Sequence, residues 1–240
     1  MSLAQSGMVG DSMAKNMLDE IIESGSDNFE DQENDVLKDI LEEINYIEND
    51  EVKSFVRSVM LKAKSFWTIP SSFSGKYHPP DEHGEGGNLL HTKRVVRVAR
   101  SICDSYTVTS DERDMVMAAC LLHDVTKGIS SSDDDMFHYD PMHPYTVEAL
   151  VKKAIEYDKE YSTDGSSTTL FLNEEAVHTI LRLVRCHLGP WSPVPETYPI
   201  TYLDYIVHLA DNVASKIHSY IEDSELINEK WRKDKESKNS

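Results

Sequence analysis

Histidine and aspartate side chains fall on the apolar stripes of several helical patterns in this 240-residue chain. His91 begins a stripe that continues at Val95, and Asp211 lies on a stripe between Val207 and Ala214. A carboxylate on a buried face is costly unless it is paired, hydrogen-bonded or bound to a metal. Metal binding would satisfy both the imidazole and the carboxylate, so these two positions are candidates for a metal site.

The adjacent pair His123 and Asp124 and the separate His187 occupy comparable positions. The pair ends the apolar run MVMAACLL, and His187 follows Val184 at helical spacing. Taken singly, each has an ordinary explanation as a hydrogen-bonded core histidine or a capping carboxylate. Taken together, ionisable groups at the inward ends of several helices are what a metal site inside a helical bundle requires. A set of imidazoles and carboxylates favours Mn, Fe, Co, Ni or Zn, and Mg stays open.

Helices must position these residues, because helical periodicity extends over most of the chain and no strand alternation appears. The predicted fold class is therefore all-α, a helical bundle with an acidic helical N-terminal extension. A loop dense in proline and glycine interrupts the pattern over 68–88, and polar loops are predicted over 130–140 and 161–169. Apolar spacing and capping signals predict helices over 35–46, 52–63, 89–102, 115–122, 144–157, 173–184 and 203–217.

Composition divides the chain into four parts. We expect a flexible segment over 1–30, helices packing on the core over 31–66, the domain that holds the site over 67–225, and a charged tail over 226–240. The chain has 43 acidic and 24 basic residues, a net charge of -19. That balance disfavours a protein that wraps long nucleic acid. A small phosphorylated substrate stays compatible with it, because bound cations reverse the local field.

Three cysteines lie in apolar helical patterns without CxxC spacing: Cys103, Cys120 and Cys186. The pattern predicts small buried side chains, and neither disulfides nor zinc ligands. Free thiols are typical of a reducing compartment, so we expect a cytoplasmic protein. No run approaches the roughly 18 apolar residues of a membrane span, and we expect no membrane partner.

Three sequence blocks follow one another in the order GEGGNLLHTKRVVRVA, AACLLHDVTKG and HLADNVASKI. In this order they resemble the HD-domain superfamily of metal-dependent phosphohydrolases, over roughly residues 76–220. The defining pattern of that family is a His, a later His-Asp pair and a distant Asp on separate helices. The resemblance implies an HD-domain helical bundle with metal ligands at His91, His123, Asp124 and Asp211.

The resemblance extends to a second metal ion, which some members of the family bind through two further histidines. Here those histidines correspond to His143 in MHPYT and His187 in RCHLGPW, with Asp124 bridging the two ions. The cofactor implied is thus one or two divalent transition-metal ions. The resemblance also implies that Lys127 faces the substrate phosphate, which makes Asp124 and Lys127 the expected catalytic residues.

Other side chains near the motifs are candidates for substrate binding. Arg94 and His83 are the expected contacts, in addition to Lys127. Weaker candidates, which surface positions would explain equally well, are Arg97, Arg185 and His138. The histidines expected not to bind metal are His78, His83, His138, His178, His208 and His218.

The preferred hypothesis is a hydrolase that cleaves a phosphoester or phosphoanhydride bond in a nucleotide-like substrate with a metal-activated hydroxide. The chain has neither a GxSxG nucleophile motif nor a GxxxxGK(S/T) phosphate loop, which fits this mechanism. Three alternatives stay open: a single-metal (deoxy)nucleotide phosphohydrolase, a 3′-to-5′ exonuclease, and a non-catalytic binding protein on the same scaffold. The expected partner is a small phosphorylated substrate, with a homodimer left open.

Overall fold

The structure is a computed structural model that describes residues 38, 40–63, 66–72, 74–128, 141–161 and 172–216, with the backbone alone over 157–161. Within these residues, a helical segment over 40–45 precedes six longer helices. These are α1 (Asp50–Leu61), α2 (Gly87–Ser105), α3 (Ser110–Leu122), α4 (His143–Tyr161), α5 (Glu174–Cys186) and α6 (Tyr202–Ala214). Short 3-10 turns lie at Pro80–Glu82, Gly189–Trp191 and Pro195–Thr197.

The described residues contain helices and no strand, which confirms the predicted all-α class. Two helices begin where the sequence signals predict. Asn173 is the N-cap of α5, and its side chain accepts a hydrogen bond from the backbone N–H of Ala176 at 2.8 Å. Pro144 is the second residue of α4, in the first turn, where a backbone N–H would have no helical partner.

α3 is the central helix of the bundle, since it packs against α1, α2, α5 and α6. Its residues 116–122 are all buried, and a helix that is apolar on every side belongs in a protein interior. A capping box begins the helix: Thr109 accepts from the backbone N–H of Glu112, and Glu112 accepts from that of Thr109. The helix ends just before His123 and Asp124, so the core itself holds these two residues in position.

α2 differs from the prediction in the face that it buries. The spacing predicts a stripe through Val95, Val98 and Ile102. In the structure Val98 and Ile102 are only half-buried, whereas Ala99 and Cys103 are buried with Val95. Both α3 and α6 pack against α2, so the buried face is the one that lies between these two neighbours.

The residues that precede the site-bearing helices share their core. Ile40, Ile44, Val52 and Phe55 are buried in the same apolar cluster as residues of α2 to α6. Full burial of each such side chain contributes about 1.5–3 kcal/mol to folding. The first two helical segments therefore stabilise the bundle that carries the candidate site.

Several predicted segments lie outside the described residues, namely 1–30, 130–140 and 226–240. The predicted loop over 161–169 begins at the last residue of α4 and lies outside them from 162 onward. None of the helices that the structure describes has both the length and the apolar character needed to cross a membrane.

The three cysteines Cys103, Cys120 and Cys186 are free and buried, which confirms their prediction as small core side chains. Burial raises the pKa of Cys103 to about 11 and that of Cys186 to about 12. Burial also raises the pKa of Cys120 well above its usual value. All three thiols are therefore protonated at neutral pH.

Candidate metal centre

The six side chains predicted as metal ligands converge inside the bundle, in two groups of three. In each group, the ligand atoms lie within 4.8 Å of one another. The first group consists of His91, His123 and Asp211, and the second of Asp124, His143 and His187. All six lie at or near helix ends, so several helices must pack together before either group exists.

The first group forms where α2 and α6 pack against each other. Nε2 of His91, on the second turn of α2, lies 3.0 Å from Oδ1 of Asp211, in the last turn of α6. Nε2 of His123, which directly follows α3, lies 3.9 Å from the same oxygen. One carboxylate oxygen thus faces two imidazole nitrogens from two other helices.

The second group forms around Asp124. Nε2 of His143, the first residue of α4, lies 2.8 Å from Oδ1 of Asp124. Nε2 of His187, which directly follows α5, lies 3.7 Å from that same oxygen. Oγ1 of Thr126 donates to the backbone carbonyl of His143 at 2.7 Å. This bond ties the turn after Asp124 to the start of α4.

The two carboxylate oxygens of Asp124 face different neighbours. Oδ1 faces His143 and His187, as described above. Oδ2 lies 3.4 Å from Nε2 of His123 and 2.6 Å from Nζ of Lys127. A carboxylate that presents one oxygen to each of two ligand groups has the arrangement that two-metal sites use for bridging.

Backbone contacts set the orientation of two of the imidazoles. Nδ1 of His123 donates to the carbonyl of Cys120 at 2.7 Å, and Nδ1 of His187 donates to the carbonyl of Val184 at 2.7 Å. Each ring thus uses its Nδ1 proton on the last turn of its own helix. Nε2 of each ring is therefore the atom that faces the cluster, which is the arrangement of a metal-binding histidine.

A buried polar atom tests whether these residues fit a metal ion. Nε2 of His123 is buried and has no hydrogen-bond partner in the part of the chain that the structure describes. Such unsatisfied buried atoms are rare and indicate a missing ligand or water. The donor set of imidazole nitrogens and carboxylate oxygens suits divalent Mn, Fe, Co, Ni or Zn. The residues therefore fit divalent ions.

The charges of the two aspartates favour a bound cation. Burial opposes ionisation of Asp124, but the charges of Lys127 and His123 outweigh it and hold the pKa of Asp124 well below its usual range. Burial also opposes ionisation of Asp211, and the hydrogen bond to His91 holds the pKa of Asp211 below its usual range. Both carboxylates are ionised at neutral pH, as metal ligands must be.

The pKa values of two histidines move in opposite directions. Burial and the charge of His123 lower the pKa of His187 to about 3, so this imidazole is neutral. Burial also opposes the charged form of His91, but contacts with Asp211 and Glu82 outweigh it and raise the pKa of His91 to about 9. His91 thus carries a proton between two carboxylates, a position that a divalent cation would compete for.

The side chain of Asp211 is more exposed to solvent than the sequence pattern predicts. Its side chain is 21% exposed, whereas that of Asp124 is 3% exposed and those of His91 and His123 are fully buried. Asp211 lies three residues before the end of α6, where fewer neighbours cover the helix. The centre is therefore most open to solvent beside Asp211.

Lys127 lies beside the second ligand group, in contact with Asp124. Its side chain is 7% exposed, and Nζ is within hydrogen-bond distance of Oδ2 of Asp124. Burying an ammonium group is costly unless a carboxylate compensates it, so Asp124 accounts for the position of Lys127. The turn over 123–128 keeps the two side chains three residues apart on the same side.

The predicted substrate contacts Arg94 and His83 are engaged within the protein. The guanidinium of Arg94 pairs with Asp81 at 2.5 Å and also with Glu82. Nε2 of His83 donates to the backbone carbonyl of His78 at 2.8 Å. Both side chains therefore hold the loop that precedes α2, and neither belongs to the two ligand groups.

The weaker substrate candidates are also paired with carboxylates. Nε of Arg97 donates to Glu43 at 2.5 Å, and Arg185 pairs with Glu148 of α4. These charges are compensated by partners on other parts of the bundle. Outside the described residues lie His138 and His218.

Two further histidines, predicted not to bind metal, lie outside the ligand groups of the described residues. His178 is exposed on the surface of α5. His208 is buried, and its Nδ1 donates to the backbone carbonyl of His187 at 2.8 Å. His208 thus supports the segment that follows α5 and is not a member of a ligand group among the described residues.

Sequence patterns did not indicate a third group, formed by His78, Glu82 and His91. Nδ1 of His78 lies 2.9 Å from Oε2 of Glu82, and Nδ1 of His91 lies 3.3 Å from it. Glu82 belongs to a 3-10 turn in an irregular loop, so no helical spacing marks it. The signals available were the proline that starts this turn and the glycine pair that follows it.

The glycine pair allows Glu82 to approach α2. A Cβ atom on Gly87 would lie 2.0 Å from the backbone oxygen of Glu82, a distance that no side-chain carbon tolerates. Gly86 has a φ of 73°, in the left-handed region that favours glycine. The same Glu82 oxygen accepts from the backbone N–H of Ser71 at 3.0 Å. The loop can therefore pack against the start of α2, with Glu82 next to His91.

Comparison with known proteins identifies the family of this arrangement. A family model described as HD domain matches residues 88–216, more than half of the chain. No curated protein and no solved structure matches the chain. The matched span begins just before His91 and ends just after Asp211, so it includes all six residues of the two ligand groups. The chain therefore belongs to the HD-domain superfamily of metal-dependent phosphohydrolases.

Proposed function

We propose that the protein hydrolyses a phosphoester or phosphoanhydride bond in a small nucleotide-like substrate, with two divalent metal ions. The observation that carries this proposal is the position of Asp124, whose Oδ1 faces His143 and His187 and whose Oδ2 faces His123. A single ion in the first group would leave His143 and His187 without a role, and a single ion in the second group would leave His91 and Asp211 without one.

In this proposal His91, His123 and Asp211 would hold the first ion, His143 and His187 would hold the second, and Asp124 would serve both. Ions bound there would supply Lewis acidity and a water molecule activated for attack on phosphorus. The ionised state of Asp124 and the neutral state of His187 both suit coordination at neutral pH.

Lys127 would stabilise negative charge on the non-bridging oxygens of the phosphoryl group. Its Nζ atom lies 2.6 Å from Oδ2 of Asp124, so it is a cation held beside the carboxylate that the two ions would share. A fixed positive charge near a developing anion lowers the energy of the transition state. The largely buried position of Lys127 strengthens this effect, because little water screens its charge.

The substrate class rests on charge and access. The chain carries a net charge of -19, which opposes binding of long nucleic acid, so a small phosphorylated molecule is favoured. Such a molecule would enter beside Asp211, whose side chain is the most exposed of the six ligands. The ionised carboxylates of Asp124 and Asp211 would repel an anionic substrate unless bound cations compensate their charge.

The test is an assay of purified protein loaded with Mn²⁺ or Co²⁺. The panel contains cyclic nucleotides, mononucleotides, dinucleoside polyphosphates and short oligonucleotides, and the readout is release of phosphate or nucleoside product. We expect turnover of at least one small nucleotide, and loss of that turnover in Asp124→Ala. Metal-loaded protein that turns over nothing in the panel would contradict the proposal and favour a binding protein on the HD scaffold.

A further inference from the structure

A buried carboxylate stands on the far side of His91 from the proposed metal. Nε2 of His91 lies 3.0 Å from Asp211, whereas Nδ1 lies 3.3 Å from Oε2 of Glu82, at ion-pair distance but without the geometry of a hydrogen bond to any described residue. The side chain of Glu82 is fully buried. The imidazole of His91 is therefore held between a proposed metal ligand and a carboxylate outside both ligand groups.

We infer that Glu82 is a positioning residue, which orients His91 and keeps its proton on Nδ1 so that Nε2 binds the metal. This inference rests on the proposed two-metal function. Metal-binding histidines commonly give their second N–H to a carboxylate or carbonyl, and the partner fixes the ring and raises its basicity. For His123 and His187 that partner is a backbone carbonyl, and a charged carboxylate is the stronger acceptor.

A separate set of side chains holds Glu82 in place. Arg94 pairs with its Oε1, while Oγ of Ser71 at 3.1 Å and Nδ1 of His78 at 2.9 Å approach its Oε2. A buried carboxylate requires such partners, since its ionised form is otherwise too costly. Arg94 comes from α2, slightly less than one turn after His91, so one helix carries both the ligand and the cation behind it.

A third metal ion at His78, Glu82 and His91 explains the same cluster less well. Both oxygens of Glu82 already have donors, and the guanidinium of Arg94 pairs directly with one of them. A fixed cation in contact with the only carboxylate of this group repels a divalent ion. His91 would also have to bind two different ions through its two nitrogens.

The first experiment compares Glu82→Gln with the matched control Glu43→Gln. Glu43 is also a buried acid, and it pairs with Arg97 and Arg100, farther along α2 from His91. Mn²⁺ titration followed by electron paramagnetic resonance gives the affinity of each binding step. We expect Glu82→Gln to weaken one step by about 10–100-fold, and Glu43→Gln to leave both steps unchanged.

A double-mutant cycle separates positioning from general loss of structure. If Glu82 acts through His91, Glu82→Gln has less than about a twofold effect on Mn²⁺ binding in a His91→Gln background. An equal effect in both backgrounds would overturn the inference. Unchanged Mn²⁺ affinity in the single variant Glu82→Gln would also overturn the inference. Loss of a third equivalent of Mn²⁺, beyond the two proposed, would overturn it as well, because Glu82 would then be a metal ligand.

Arg94→Gln provides a second route if Glu82→Gln does not fold, because the Arg94 side chain is partly exposed. We expect weaker Mn²⁺ binding and a lower kcat at subsaturating metal, with KM for substrate unchanged at saturating metal. A raised KM with unchanged Mn²⁺ affinity would make Arg94 a substrate contact and overturn its role here. Wild-type protein that binds no Mn²⁺ would instead refute the proposed function itself.

Discussion

Nζ of Lys127 lies 2.6 Å from Oδ2 of Asp124, the oxygen that faces His123 and not the one that faces His143 and His187. The lysine thus pairs with only one of the two carboxylate oxygens of Asp124. Its ammonium group compensates the charge of Asp124. In the proposed two-metal centre the ions would compensate that charge, and the ammonium group would be available to a phosphoryl oxygen.

Replacement of Lys127 by Met should lower kcat and leave the metal content unchanged. Loss of one group that stabilises transition-state charge typically lowers kcat by about 10²–10³-fold. Metal analysis and steady-state kinetics at saturating Mn²⁺ check both parts. Lys152→Met is the control, since Lys152 is an exposed lysine of α4 paired with Glu148. A normal kcat in Lys127→Met would remove the lysine from the mechanism.

Metal stoichiometry should separate two ions from one. We expect two equivalents per chain in the wild type, one in His187→Ala, and weakened binding of both in Asp124→Ala, because Asp124 is shared. Elemental analysis after removal of free metal gives these numbers. His178→Ala, an exposed histidine on the same helix as Val184, should keep two equivalents. Unchanged metal and activity in both His143→Ala and His187→Ala would favour the single-metal alternative.

Replacement of Gly87 by Ala should destabilise the protein, because the new Cβ would lie 2.0 Å from the Glu82 backbone oxygen. Overpacking of this kind costs about 1–3 kcal/mol. Thermal unfolding should show a lower Tm for Gly87→Ala. The control is Gly84→Ala in the same loop, where a Cβ would have nothing within 4 Å. Equal Tm values for the two variants would show that the loop does not pack against α2 in this way.

The three thiols should be unreactive in the folded protein. Burial raises the pKa of Cys103 to about 11 and of Cys186 to about 12, and that of Cys120 well above its usual value. The reactive thiolate is therefore scarce at pH 8. Ellman's reagent should modify the native protein slowly and react with three thiols after denaturation in guanidinium chloride. Rapid reaction of the native protein would contradict the burial of these residues.

The same pKa values predict how stability changes at alkaline pH. Above about pH 9 the thiols of the unfolded chain lose protons, while those of the folded chain keep them until the pH reaches their raised pKa values. The unfolded state then binds fewer protons, so the free energy of unfolding falls as the pH rises. Urea titrations should give a lower free energy of unfolding at pH 10 than at pH 8. This decrease should be smaller in Cys186→Ala, which lacks one of the buried thiols.

Much of the site was visible in the sequence because its residues stand on periodic helices. His91 four residues before Val95, and Asp211 between Val207 and Ala214, are local patterns that mark a polar group on a buried face. Asn173 and Pro144 likewise marked helix starts from local chemistry, and the structure confirms both. The HD-domain resemblance then related helices that local patterns cannot connect, and the family match confirms it.

The buried position of Glu82 and the partners of Arg94 could not be predicted from such local sequence patterns. The loop before α2 has no period, so nothing in its spacing says which side chain is buried behind His91. The bond between Arg94 and Glu82 joins residues twelve positions apart across that loop. The exposure of Asp211 depends on where α6 ends and on what covers its last turn, neither of which its own stripe reveals.

By itself the amino-acid sequence determined the helical class, the identity of the candidate ligands and the family to which they belong. Only the tertiary structure decided how six ligands divide into two groups around Asp124, and which carboxylate supports His91. The physical reason is the distance along the chain over which sequence signals act. Periodicity and capping act within a few turns of one helix, whereas the positions of individual nitrogen and oxygen atoms depend on how separate helices and an irregular loop pack together.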